Sequence, residues 1–183
     1  MSDLQWLRLM TNPSLSWKEW LLAFVAGGLT AFALRAVFPN KRRTLWQNIA
    51  VILLMMYLFL VLSSLVLVRP VGEDYTWELE LFWSYRHLLR EGNRFYLWEN
   101  VLNIVLFVPA GFLMKMAFPR MKIRKILLVG VVISLGLELM QLGLKRGLFE
   151  LDDIVHNTVG MGIGGCIAGM LMKMMYSGKQ VRI

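Results

Sequence analysis

"SLGLELMQLGLKRGLFELDDIVHNTVG", residues 134–160, sets Glu138, Gln141, Lys145, Arg146, Glu150, Asp152, Asp153, His156 and Asn157 between two strongly apolar runs. Each run continues far enough to approach the ~20 residues a bilayer crossing needs. The stretch therefore reads as the end of one spanning helix, a short turn, and the start of the next. Its polar groups sit at the edge of lipid, where an ionisable side chain must face protein or water.

The rest of the chain fits this setting. Its 183 residues are 57% hydrophobic with a mean hydropathy of +0.57, above the roughly 45–50% apolar content of soluble domains. Five stretches predict spanning helices: about 20–38, 46–68, 100–118, 125–144 and 153–176. The expected fold is an all-α polytopic membrane bundle, one domain over 1–183, since no linker, low-complexity tract or repeat divides it. The first 20 residues lack a signal-peptide pattern and read as a retained amphipathic lead-in. The single cysteine, Cys166, excludes an intramolecular disulfide and a cysteine metal site. Net charge is +8, but the basic residues sit in short clusters beside apolar runs, which excludes nucleic acid as the main partner.

Those clusters orient the chain, because Lys and Arg in short loops are held on the cytoplasmic side. "PNKRRT" (39–44) and "KMAFPRMKIRK" (115–125) are the richest, so the N-terminus is expected outside and the C-terminus, with Lys173, Lys179 and Arg182, inside. Residues 69–99 and 145–152, where acids balance bases, belong outside. Arg35 reads as snorkelling to the inner head groups. "TWELELFWSYRHLLREGNRFYLW" (76–98) mixes aromatic and charged residues as interfacial segments do, predicting an amphipathic helix over about 77–90 that ends before Gly92. His87 reads as solvated.

With this topology, three polar stripes lie at one membrane depth. Residues three or four apart share a helix face, so Ser134, Glu138 and Gln141 form one stripe, Asp153 and Asn157 lead another with Gly160 and Gly164, and Asn100 and Asn103 lead a third with Phe107 and Gly111. Glu99 and His156 join them at that depth. Glu138 reaches ~9 Å into the outer leaflet at 1.5 Å per residue and needs a partner; Arg146 is the nearest expected cation. The binding site read from this pattern comprises Asn103, Ser134, Glu138, Gln141, Arg146, Asp152, Asp153, His156 and Asn157. The alternative reading is interhelical hydrogen-bond glue, with Asp153 capping the last helix. Gly160, Gly164 and Ala168, and likewise Gly165 and Gly169, form small-residue seams for tight helix contact, as Gly27 and Ala31 do in the first span; such seams also permit a homodimer. Pro109 predicts a kink.

The chain resembles the VanZ-like family of bacterial membrane proteins through "ENVLNIVLFVPAGFLM" (99–114), "SLGLELMQ" (134–141) and "RGLFELDDIVHNTVGMGIG" (146–164). The resemblance covers about residues 69–172, with the first two spans matching in hydropathy only. In the outer loop, "ELELF" (78–82) has Glu78 and Leu81 where family members carry Asn and Pro. The resemblance implies a multi-pass protein of the bacterial plasma membrane, and envelope biology linked to resistance to the glycopeptide teicoplanin.

The leading functional expectation is a site for a membrane lipid, a lipid-linked cell-wall precursor or a glycopeptide, with Arg146 on phosphate or carboxylate. The second is a membrane-embedded hydrolase or transferase using Glu138 or Asp153 as general base and Arg146 as charge stabiliser. No cofactor or metal is expected: Asp152, Asp153, His156 and Glu138 lack an established ligand spacing. A Ser134–His156 nucleophile pair would need Ser134 to be shallower than its helix position allows. Transport is disfavoured by acids lying towards one face and by the lack of an inverted repeat.

Overall fold

The computed structural model describes residues 17–37, 44–91 and 95–180. Among these, six helices and two short strands follow in order: α1 (Trp17–Val37), α2 (Leu45–Leu62), β1 (Thr76–Glu78), α3 (Trp83–Glu91), α4 (Phe95–Ala117), α5 (Ile123–Gly143), β2 (Leu148–Glu150) and α6 (Leu151–Gln180). The protein is an all-α polytopic bundle. Four stretches are long and apolar enough to cross a membrane: Leu45–Leu67, Tyr96–Ala117, Ile123–Gly143 and Leu151–Met175. In α1 the apolar part is Phe24–Leu34. The expected lead-in and the "NKRR" cluster (40–43) lie outside the described residues.

The centre of the bundle is the contact of α4 with α6, and small residues create it. A Cβ on Gly160 would overlap the Ile104 carbonyl, one on Gly164 the Val108 carbonyl, and one on Gly111 the Met161 carbonyl. Backbones approach this closely only where a side chain is missing. The Gly160–Gly164–Ala168 seam is thus occupied by α4 of the same chain, while Gly165 meets Ile126 and Ile123 of α5. Gly27 packs on the Ile52 backbone, joining α1 to α2. Phe107, Ala110, Ile126 and Met161 are fully buried in the core, whereas Phe32, Val105, Val132 and Met170 are exposed as lipid-facing residues would be.

Several helix ends have identifiable partners. Thr44 and Gln47 form a capping box at the start of α2, Gln47 N–H donating to Thr44 Oγ1 at 3.3 Å and Thr44 N–H to Gln47 Oε1 at 3.1 Å. The last turn of α2 widens over Ser63–Leu67, with Val68 N–H reaching back five residues to the Ser63 carbonyl. Three residues before Pro109, the Leu106 carbonyl accepts from Tyr57 of α2 at 2.6 Å. At the opposite end of α4, Lys115 Nζ donates to the carbonyls of Pro119 and Met121.

The segment between α2 and α4 differs from the expected helix over 77–90. Trp77 and Glu78 lie in β1, which pairs in parallel with β2, Thr76 opposite Leu148 and Glu78 opposite Glu150. The helix starts only at Trp83, after Phe82 at φ 61°. Its start is fixed by Asp152, whose Oδ1 accepts from Phe82 N–H at 2.5 Å and whose Oδ2 accepts from Ser84 Oγ at 2.7 Å. The capping carboxylate comes from α6, so the sequence of α3 alone could not mark its start. His87, expected to be solvated, stands edge-on to Trp83 and near Tyr96.

Candidate functional site

The connectivity brings the end of α2, the N-termini of α4 and α6 and the C-terminus of α5 to one end of the bundle. The 118–122 turn with its basic flanks lies at the other. The first end is roofed by the 69–91 segment, which is sewn to the α5–α6 turn. Gly72 N–H donates to the Lys145 carbonyl at 2.6 Å, Lys145 Nζ to the Glu73 carbonyl at 2.9 Å, and Thr76 Oγ1 to the Gly147 carbonyl at 3.2 Å.

Beneath this roof the carboxylates gather around a cation that is not the expected one. Arg69 interacts electrostatically with Asp153, Glu138, Glu99 and Glu150. Asp153 Oδ1 accepts from Asn103 Nδ2 at 2.6 Å, and its carboxyl also hydrogen-bonds Glu150. Glu138 Oε2 accepts from Glu150 N–H at 3.0 Å. Arg69, Glu99, Glu150 and Asp153 keep partial exposure, whereas Glu138 and Gln141 are each 1% exposed. The cluster therefore runs from a wetted rim to a buried floor.

Burial pushes the Glu150 carboxyl up to about 9, with Asp153, Glu99, Glu138 and Asp152 adding repulsion in that order. Burial lowers the Arg69 guanidinium below its usual range, and the four carboxylates oppose that shift. Both follow from low dielectric disfavouring charge and from the sign of the neighbours.

Arg146, expected to pair with Glu138, instead points to the end of α2. Its Nη1 donates to the carbonyls of Leu67, of Arg69 at 3.1 Å and, at the limit of hydrogen bonding, of Val66 at 3.5 Å. A helix C-terminus leaves such carbonyls unpaired, and a cation there satisfies them. Gln141 plays a related part, its Nε2 donating to the Leu65 carbonyl in the wide turn at 3.1 Å. The sequence offered one signal for Arg69: a cation at the mouth of the second span, just before Pro70.

Other expected site residues tie the elements together. Asp152 anchors α3, and Asn100 Nδ2 donates to Ser84 Oγ at 3.0 Å, extending that anchor to α4. Ser134 Oγ accepts from Asn157 Nδ2 at 2.8 Å, tying α5 to α6. His156 Nε2 shares a 2.7 Å hydrogen bond with the Tyr85 hydroxyl, the rings stacked at 5.7 Å. Ser134 and His156 thus have separate partners and form no nucleophile pair. Among the described residues no three His, Cys, Asp or Glu side chains assemble as a metal-ligand set; Asp152 and His156 are bonded to Ser84 and Tyr85.

All these interactions come from residues 65–157, and comparison with known families gives a unit that contains them. The VanZ/LLP1 family model matches residues 48–172. The chain belongs to the VanZ/LLP1 family. The match extends beyond the expected 69–172 to include most of α2, the helix that delivers Arg69 and the wide turn. Comparison with curated proteins and with solved structures gives no match.

Proposed function

We propose that this VanZ/LLP1 protein lies in the bacterial plasma membrane with its carboxylate–arginine cluster at the outer face. There it holds the head group of an envelope lipid or cell-wall precursor and so alters susceptibility to teicoplanin-type glycopeptides. The observation that carries this reading is a single arginine, Arg69, set among four carboxylates beneath an interfacial roof. A guanidinium suits a phosphate or carboxylate, and acids suit hydroxyl, amide or amine donors. The basic 115–125 segment at the opposite end supports an outward cluster, because short basic loops stay cytoplasmic.

A second reading has one supporting feature. Glu138 and Asp153 near a shared cation resemble the general-base and charge-stabilising parts of a hydrolase or transferase acting on a lipid-linked substrate.

The test expresses Glu138→Gln, Asp153→Asn and Arg69→Gln at membrane levels equal to the wild type, then measures glycopeptide susceptibility and envelope-lipid composition. Loss of the wild-type susceptibility effect in all three, with unchanged lipids, is the expected result. A lipid product present with the wild type and lost in the variants selects the enzyme. Wild-type behaviour in all three refutes both readings.

A further inference from the structure

The cluster has more acceptors than one arginine can use. Four carboxylates face Arg69, and Gln141 Oε1, fully buried on the floor, has no hydrogen-bond partner although Nε2 of the same amide is engaged. That oxygen lies beside Gly147. A Cβ built on Gly147 would stand 2.7 Å from Arg69 Nη1 and 3.5 Å from Gln141 Oε1, and Gly147 has φ +154°, so the missing side chain is what lets Arg69 Nη1 come in beside the buried amide oxygen. An unpaired buried acceptor costs free energy until a donor arrives.

We propose that the site takes a primary ammonium group, seated between Glu138, Glu150, Asp153 and the Gln141 carbonyl oxygen, with an anion of the same head group on Arg69. The proposal rests on the head-group reading above and names its chemical class. An ammonium supplies three N–H donors to carboxyl oxygens and to the unpaired Gln141 oxygen, all of which can accept. A quaternary ammonium has no N–H and is favoured by aromatic faces, whereas Trp83, His87 and Tyr96 here pack on one another. A divalent cation needs six or more converging oxygens, while one oxygen of Glu138 and one of Asp153 already accept from Glu150 N–H and Asn103.

The experiment uses the full chain in phosphatidylcholine nanodiscs, with the thermal midpoint read by tryptophan fluorescence. O-phosphoethanolamine at ten times its dissociation constant should raise the midpoint by roughly 3–5 °C, and phosphocholine and inorganic phosphate should bind at least tenfold more weakly. Nanodiscs containing phosphatidylethanolamine form a second arm. A response there without a soluble response assigns the ammonium to a lipid, and a soluble response assigns it to a free or precursor-borne amine; both support the proposal. Equal responses to phosphoethanolamine and phosphocholine overturn it, as does no response in either arm. An Arg69-dependent response to phosphatidylglycerol or phosphate alone overturns the ammonium while preserving the head-group reading.

Two variants complete the test. Glu138→Gln keeps an acceptor for Glu150 N–H and should weaken phosphoethanolamine at least tenfold. Gln141→Lys places a tethered ammonium on the floor, still able to donate to Leu65, and should raise the midpoint while abolishing the ligand response. A lower midpoint in Gln141→Lys, the behaviour of an uncompensated buried cation, refutes the assignment even if Glu138→Gln fails to fold.

Discussion

Replacing Glu150 by Gln measures the electrostatic cost of the cluster directly. The Glu150 carboxyl is pushed up to about 9 in the folded protein, against an ordinary value of 4.5. Between those values the folded chain holds a proton that the unfolded chain has released. Stability from this group is therefore fully present below about pH 4.5 and is lost as pH rises towards 9. At roughly 1.4 kcal/mol per pKa unit, the window amounts to several kcal/mol. Most of it falls between pH 5.5 and 8.5.

For a chain of this length, about 1 kcal/mol shifts the thermal midpoint by ~2–4 °C. The wild type should then lose at least about 5 °C more than Glu150→Gln across that pH interval. A glutamine leaves Glu150 N–H on Glu138 and retains side-chain donors for Asp153. Glu99, Glu138 and Asp153 remain in both proteins, so the difference between the two curves isolates position 150. The variant should melt at or below the wild-type temperature at pH 5.5 and above it at pH 8.5. Parallel curves would mean that Glu150 is not held in its neutral form by the cluster, and would refute the reasoning.

Arg146→Gln should cost about 2–3 kcal/mol by freeing the carbonyls at the end of α2, equally at pH 5.5 and 8.5. Arg69→Gln should cost about 3–5 kcal/mol, and more at the higher pH, because carboxylates lose their cation; thermal unfolding at both pH values separates the two. Asp152→Ala should raise amide hydrogen exchange at Phe82 and Ser84 tenfold or more, through a loss of about 1–3 kcal/mol of local stability, while the core of α4 stays protected. Gly164→Leu should remove more than about 4 kcal/mol by forcing α6 off the Val108 backbone, seen as loss of the monodisperse species in size exclusion. In a Cys166→Ser background, Leu79→Cys should react with an impermeant maleimide on intact cells and Arg120→Cys only after lysis. The opposite pattern would invert the membrane orientation.

The sequence made the helices legible because their apolar runs approach bilayer length, and it made the meeting of Asn103, Glu138 and Asp153 legible because topology puts those helix ends at one depth. Spacing located the Gly160–Gly164 seam, and the structure identifies α4 as its occupant. The identity of the cation was hidden. Arg146 and Arg69 are both basic residues at helix mouths, and only the fold decides which faces carbonyls and which faces carboxylates. The β1–β2 pairing was hidden too, since three-residue strands carry no periodic signal. The late start of α3 depends on Asp152, 70 residues from Phe82 along the chain, beyond any local capping rule.

The wide turn over Ser63–Leu67 links Arg69 to Gln141 and Arg146. A helix turn that accommodates an extra residue rotates everything after it by about 100° relative to a regular helix. That rotation sets the direction in which the chain presents Arg69. It also alters the backbone pairing around Leu65, to whose carbonyl Gln141 Nε2 donates, while Arg146 donates to the carbonyls that follow. The motif residues Gln141 and Arg146 therefore act on the arginine from outside the motifs, by holding the turn that aims it. The family match begins near the start of α2, at residue 48, and so takes in the helix that leads to the cation of the cluster, together with α4, α5, β2 and α6, which carry its acids.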